Sequence, residues 1–170
     1  DFLFLAPDEE NRKLMFRDGA REEETCDCLR ANYLRVVATQ DLNSHQINYL
    51  RSRTIHVMEK FMNSASIHED GCKVLACLFH QASDDESISQ NRLIAEVETM
   101  YHSLKQHMNS PANTIAACAA LQNFCILLSA NMSGNVSGLN DTLSRSLAEV
   151  TKALFVHVDN VQTLERVTGA

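Results

Sequence analysis

The chain has 170 residues, of which 45% are hydrophobic and 22% charged, a balance typical of folded proteins and not of disordered or low-complexity chains. Only 5 Gly and 2 Pro interrupt it, so a β-sandwich or barrel, which needs a turn about every ten residues, is excluded in favour of an all-α fold. The net charge of -7 argues against nucleic acid and against an anionic membrane as default partners.

Apolar residues at helical spacing predict about seven helices in chain order. The first is expected over about 8–17, and the second follows the acidic run at 22–24. The next are expected over about 44–62, 67–81, 88–108, 113–130 and 139–158, and residues 161–170 would begin an eighth. In the third helix, Ile47, Leu50, Ile55, Met58, Phe61 and Met62 are predicted to face inward.

Two charged or apolar features stand outside this pattern. Arg30, Arg35, Arg51 and Arg53 could form a local basic patch, but because they are scattered over two helices they are expected to form a solvated face. The N-terminal FLFLA lacks the length and the basic flank of a signal peptide or membrane span. It is expected to cap the first helical pair or to dock on a partner.

The ends of the chain suggest a segment of something longer. The sequence has no initiator Met and stops where a helix is under way, so we expect these 170 residues to be a window on a longer protein.

Most of the cysteines lie inside apolar helical runs. Cys72 and Cys77 occur in GCKVLACLF, and Cys118 and Cys125 occur in ACAALQNFCILL. Such placement predicts buried free thiols that pack as small hydrophobes, which indicates a reducing compartment, the cytoplasm or nucleus.

An internal repeat relates two parts of the chain. Residues 101–125 laid on 55–79 match at six of 25 positions, where unrelated sequences would match at about one or two. The matching pairs are His56 with His102, Met62 with Met108, Asn63 with Asn109, Ser64 with Ser110, Cys72 with Cys118 and Leu75 with Leu121. The same frame aligns Cys28 and Leu34 with Cys72 and Leu78. Each unit is predicted to be a long helix followed by a shorter, more apolar one, a pair that must stack on the next pair.

Residues 91–124, NRLIAEVETMYHSLKQHMNSPANTIAACAALQNF, resemble an armadillo repeat through their A-x-x-A-L-x-N-F pattern. Val97 and Glu98 stand where armadillo units usually have a Gly between their first two helices, which is similar to the fused arrangement of HEAT repeats. The resemblance implies an all-α, right-handed solenoid of about three armadillo/HEAT-like units. The whole of 1–170 would be one solenoid, with a cap at 1–21, a partial repeat at about 22–43, repeats at about 44–82 and 86–131, and a truncated repeat at about 138–170.

The resemblance also implies a function. In armadillo proteins the third helices line a groove that binds extended peptides, partly through an Asn that matches Asn123, although Cys77 and Tyr33 replace it in the earlier units. We therefore expect a non-enzymatic interaction module or adaptor that binds a protein or peptide and needs no cofactor. The expected partner-binding residues are Tyr33, Lys73, Cys77, Gln122 and Asn123.

Two alternatives remain open. The chain could be a structural subunit of a large multiprotein assembly, or a compact helical metal protein or enzyme. His68 and Cys72, at i and i+4, could bind one metal ion together with Cys26, Cys28 or His80. Because Cys72 recurs as a core position and no catalytic motif is present, neither a metal site nor enzymatic activity is expected.

Overall fold

The computed structural model describes residues 21–38, 42–82, 90–131 and 137–156. These residues form six helices: α1 (Glu22–Ala38), α2 (Ser44–Lys60), α3 (Ala65–Gln81), α4 (Gln90–Gln106), α5 (Pro111–Asn131) and α6 (Ser137–Val156). The predicted all-α class is confirmed, and each of the six lies where the apolar spacing predicts a helix. The helix predicted over 8–17, the FLFLA segment and the helix start at 161–170 lie outside the described residues.

Local sequence sets where several helices begin. Asn43 precedes α2 in a capping box, in which its side chain accepts a hydrogen bond from the Gln46 amide at 2.9 Å and the Gln46 side chain accepts one from the Asn43 amide at 3.0 Å. Ser64 caps α3 by accepting from the Ile67 amide at 3.2 Å. The Ser110 hydroxyl accepts from a backbone amide three residues on, at 3.3 Å, just before α5. Short polar turns therefore join α2 to α3 and α4 to α5.

The helices alternate between two layers. In the odd layer, α3 lies between α1 and α5 and packs extensively on both. In the even layer, α4 packs extensively on α6 and more lightly on α2. The two layers meet mainly where α2 packs on α3 and α4 on α5, so the chain crosses from one layer to the other at each turn.

The main hydrophobic core lies between the layers. The Phe79 and Phe124 rings meet edge to face, with centroids 5.1 Å apart, where α3 packs on α5. Cys72 and Cys118 are fully buried in the same cluster, as predicted, but Cys77 is only half-buried and Cys125 is exposed, so the prediction of buried thiols is wrong for Cys125. On α5, Ala116, Ala117 and Ala120 are buried, and their small side chains allow α3 to approach closely.

One segment of the described residues, Pro111–Ser129 in α5, is long and apolar enough to cross a membrane by length and composition, with a mean hydropathy of 1.4. Half of this segment is buried inside the structure. Apolar composition of this degree also occurs in the core helices of soluble proteins.

Several sequence expectations are corrected here. The second helix of a pair is not shorter, because α3 has 17 residues like α2, and α5 has 21 against 17 in α4. Met62 is 45% exposed, since α2 ends at Lys60 and Met62 falls in the turn beyond it. Leu34 is 66% exposed whereas Leu78 is buried, so the repeat alignment matches an exposed position with a buried one. One expectation is confirmed: the helix does not break at Val97 and Glu98, because α4 continues through both residues.

The expectation that Arg51 belongs to a solvated face is wrong. Its side chain is fully buried and forms a two-point ion pair with the buried Glu96, Nε to Oε1 at 3.1 Å and Nη2 to Oε2 at 2.5 Å. Arg92 adds a third bond to Glu96 at 3.2 Å and donates to the Asn48 carbonyl at 2.6 Å. The Arg51 guanidinium also lies 4.9 Å from the centroid of the Phe79 ring. This network joins α2 to α4 and contacts α3.

Removing the charge of Glu96 should destabilise the protein strongly. In Glu96→Gln the buried Arg51 guanidinium loses its counter-charge, and we expect the free energy of unfolding to fall by about 3–5 kcal/mol. Urea denaturation followed by circular dichroism measures this change.

Glu98→Gln is the matched control on the same helix. Glu98 pairs with Arg145 at 3.4 Å, but both side chains are about half exposed, so this variant should cost less than about 1 kcal/mol. Equal losses in the two variants would contradict the role given to the buried pair.

Candidate functional site

A groove of about 530 Å³ crosses the odd layer near the C-terminal ends of α1 and α3. All three helices of the layer contribute to it. Its lining residues are Val37 from α1, Ala76, Cys77, His80 and Gln81 from α3, and Asn123 from α5. The lining combines apolar side chains with neutral amides and an exposed imidazole, which suits an uncharged polypeptide backbone better than an ion.

Two side-chain amides tie the groove walls together. Gln81 Nε2 donates to the Val36 carbonyl on α1 at 2.8 Å, and Asn123 Nδ2 donates to the Ala76 carbonyl on α3 at 2.8 Å. Each amide thus bridges its own helix to the preceding helix of the odd layer. Asn123, expected to bind a partner's backbone, therefore holds α5 against α3 while it lines the groove.

Cys77 and Tyr33 pack on the same small cluster, formed by Val36, Ile47, Leu50, Val74 and Leu78. Both are half-buried, Cys77 on the groove wall and Tyr33 one turn before Val37 on α1. Burial raises the pKa of the Cys77 thiol above its ordinary value, so this thiol is mainly protonated at neutral pH.

Lys73 lies one turn before Cys77 on α3, where acidic neighbours on its own helix surround it. Its ammonium contacts Glu69 at 2.5 Å and Asp70 at 3.7 Å. Burial alone would lower the pKa of Lys73, but hydrogen bonds and attraction from these carboxylates raise it above the usual value. Arg30 reaches Asp70 from α1 at 2.9 Å, so these charges are largely compensated within the odd layer.

A second cavity of about 650 Å³ lies at the opposite ends of α1 and α3. Its lining residues are Arg21, Glu22, Glu23, Cys26, Asp27, Arg30 and Ser66. The Glu22 carboxylate accepts a hydrogen bond from the Ser64 hydroxyl, at the N-terminus of α3, where the helix dipole favours negative charge. This cavity is polar, with opposite charges close together.

The structure brings together some of the predicted residues. Cys77 and Asn123 line one groove, and Tyr33 and Lys73 lie beside it on α1 and α3. Gln122, the neighbour of Asn123, is half-buried and does not line the groove. The sequence interpretation missed four lining residues, Val37, Ala76, His80 and Gln81. The helical spacing of the last two from Cys77 was the available signal for them.

The residues weighed for a metal site serve other contacts. In the part of the chain that the structure describes, no group of three or more His, Cys, Asp or Glu side chains could hold a metal ion. Burial raises the pKa of Cys72 to about 12, and its thiol lies 3.6 Å from the Ser103 hydroxyl. Burial likewise raises the pKa of Cys118 to about 12, so neither thiol is present as the thiolate that binds metal at neutral pH.

Two imidazoles meet at the end of α2. The ring centroids of His68 and His107 are 4.8 Å apart. Their Nε2 atoms lie 3.1 and 3.0 Å from the Met58 and Met62 carbonyls. Burial, reinforced by His107, lowers the pKa of His68 to about 4. His68 is therefore a neutral structural link between α3 and the end of α2.

Close packing surrounds this corner. A Cβ atom added at Gly71, one turn after His68, would lie 2.6 Å from the Met58 sulfur. Only glycine leaves room for Met58 there.

Comparisons with protein-family models, with curated proteins and with solved structures gave no match.

The low pKa of His68 should make the protein sensitive to acid. The folded imidazole stays neutral down to about pH 4, whereas the unfolded one binds a proton near pH 6.5. The unfolded state binds more protons in this window, so stability is lost as pH falls, by about 2 kcal/mol between pH 7 and pH 5. Urea denaturation at both pH values measures the loss.

His68→Gln keeps an N–H donor for the Met58 carbonyl but cannot titrate. We expect this variant to be less stable at pH 7 and to lose about 2 kcal/mol less than the wild type on acidification. His56→Gln, at an exposed position on α2, is the control and should keep the wild-type pH dependence. An unchanged pH dependence in His68→Gln would overturn the assignment.

Proposed function

We propose that the chain is an α-solenoid of about three armadillo/HEAT-like units that works as a non-enzymatic protein-interaction module. The alternation of helices between an odd and an even layer supports this proposal, because stacked helix pairs bury their apolar faces against the next pair in the same way. The six free cysteines fit a cytoplasmic or nuclear location.

The observation that carries the proposal is the similar sequence separation, 43 to 47 residues, of hydrogen bonds between neighbouring helices of a layer. In the even layer, Arg51 and Glu96 are 45 residues apart, and Asn63 and Gln106, whose side chains hydrogen-bond at 2.6 Å, are 43 apart. In the odd layer, the bridge from Asn123 to the Ala76 carbonyl spans 47 residues and that from Gln81 to the Val36 carbonyl spans 45. A spacing that repeats within a few residues is what a stack of similar units produces.

Positions related by the sequence repeat also have similar surroundings. Ser64 and Ser110 both accept a hydrogen bond from the amide three residues on. Cys72 and Cys118 are both fully buried, and Leu75 and Leu121 are both in the core. Cys77 and Asn123, also related by the repeat, both line the groove. These correspondences favour two successive units with one packing scheme.

The groove is the proposed binding site for an extended peptide. The groove lies on the odd layer. In the armadillo-like interpretation, the helices of this layer are the third helices of the units. Val37 is 51% exposed and provides an apolar contact, and His80 and Asn123 provide polar groups. Such a lining suits a segment that presents its backbone and small apolar side chains.

A second candidate is a structural subunit that partners cover permanently. Leu34 on α1, Ile126 on α5 and Leu147 on α6 are each more than 60% exposed. Exposed apolar side chains mark an interface where they form a contiguous patch, so this candidate requires that partners cover these three residues together. In that case the protein would be isolated only in a stoichiometric complex.

Small-angle X-ray scattering tests the solenoid. A compact globule of this length has a radius of gyration of about 15 Å. We expect the measured value to exceed that by about a tenth or more, with a distance distribution skewed to long distances. A symmetric distribution with a radius near 15 Å would contradict stacking.

Peptide selection tests the groove. Peptides selected from a random library on the immobilised chain should bind Val37→Asp at least about tenfold more weakly, because the new carboxylate is desolvated by the bound peptide. Ser144→Asp adds the same charge at an exposed position on α6 and should change affinity less than twofold.

Alkylation of thiols locates the bound peptide. The selected peptides should protect Cys77, on the groove wall, and leave the exposed Cys125 reactive. Equal binding to both variants, or protection of neither thiol, would reject the groove as the binding site.

A further inference from the structure

Three lysines occupy corresponding positions on the even layer. Lys60, Lys105 and Lys152 are all exposed, one on each of α2, α4 and α6. They are separated by 45 and 47 residues along the chain. We call this set the lysine ladder.

Hydrogen bonds between these helices place the three lysines at about the same level. Before Lys60 in the chain, Arg51 bonds to Glu96 on α4, 45 residues later. After Lys60, Asn63 bonds to Gln106, 43 residues later. Between α4 and α6, Arg145 bonds to Glu98, 47 residues before it. These offsets are those that separate the lysines, so the ladder runs across the layer, perpendicular to the helices.

An aromatic ring in the middle of the layer orders the cations. Lys105 Nζ lies 5.7 Å and the Arg145 guanidinium carbon 5.4 Å from the centroid of the Tyr101 ring. Lys152 is positioned by its bond to Glu149 at 2.6 Å. Side chains positioned in this way lose less conformational freedom when a ligand binds.

The two layers differ in charge. The even-layer helices contain seven Lys or Arg against five Asp or Glu, whereas the odd-layer helices contain three against six. The even-layer helices thus carry a small positive excess, which remains at six basic against four acidic side chains when the buried Arg51 and Glu96 are left out. Charge complementarity points to an acidic ligand for the outer face of this layer.

We propose that the lysine ladder docks an extended acidic segment of a protein partner, with a carboxylate at every third residue. The axes of packed helices generally lie about 8–10 Å apart, and we take this general value as the spacing between lysines on neighbouring helices. A polyproline II segment repeats every three residues, over about 9 Å, so its every third side chain points the same way at a matching spacing. This inference rests on the proposed interaction function and adds a second surface to the groove.

A nucleic acid is a poorer fit to the same surface. Its phosphates are closely spaced along one backbone, whereas the ladder offers three cations on three separate helices, and the net charge of -7 repels a long polyanion. A protein segment can bring three carboxylates to the ladder without extending over the acidic odd layer.

The test uses the full chain and a fluorescent peptide of five Pro-Pro-Glu repeats, with fluorescence anisotropy as the readout. We expect saturable binding that weakens with added salt. A peptide of five Pro-Pro-Gln repeats should not bind. A peptide of the same length, with its five glutamates consecutive among prolines, should bind at least fivefold more weakly, because its carboxylates do not match the spacing.

Two triple variants with the same loss of charge locate the site. Lys60→Gln, Lys105→Gln and Lys152→Gln combined should weaken binding of the Pro-Pro-Glu peptide at least tenfold. The control combines Arg21→Gln, Arg35→Gln and Lys73→Gln, which lie in or beside the odd layer, and should change affinity less than twofold. Thermal melts followed by circular dichroism check that both variants fold.

Equal weakening of peptide binding by the two triple variants, or equal binding of the two glutamate peptides, would overturn the proposal. Competition by a single-stranded oligonucleotide at the same affinity would overturn it as well. Absence of acidic-peptide binding would also overturn it. The peptides selected for the groove would still bind in each case if the proposed function holds, so failure of the ladder is distinct from failure of that function.

Discussion

The buried ion pair between Arg51 and Glu96 is the constraint on which the even layer depends. A guanidinium and a carboxylate are stable away from water only when their geometry is nearly ideal, so the pair tolerates little sliding of α2 against α4. A shift of one residue would leave the Arg51 guanidinium buried without its counter-charge, while Glu96 would keep its bond to Arg92 on the same helix. The pair thereby fixes the register of α2 against α4. Because α2 also packs on α3, the pair helps to fix the position of α3, which lines the groove, relative to the even layer.

Much of the helical pattern could be predicted from the sequence because its causes are local. Asn43 and Ser64 are capping residues beside their helices, and the apolar spacing of each helix reflects the face that it buries. The burial of Arg51 could not be predicted, since its partner is 45 residues away and no local signal separates it from the neighbouring Arg53. Leu34 was placed by analogy with Leu78, but α1 does not bury that face in the described residues.

The candidate site could likewise be predicted only in part from the sequence. Cys77 and Asn123 could be found from the sequence repeat, because the positions that it aligns lie on the same side of neighbouring helices of the odd layer. Val37 could not, since its place in the groove depends on how α1 lies against α3. The bond from Asn123 to the Ala76 carbonyl could not be predicted either. The sequence indicates an amide at a surface position, but it does not show whether that amide bonds within the chain or to a partner.

The amide bridges of Gln81 and Asn123 bear on how the chain folds. Each bridge joins helices that are consecutive in the odd layer, so its loop closes over fewer than fifty residues. The entropy lost in closing a loop grows only slowly with its length, and each new helix finds its binding surface on the one just formed. In the solenoid that we propose, folding would therefore begin at a well-packed pair, such as α3 and α5, and spread to the neighbouring helices.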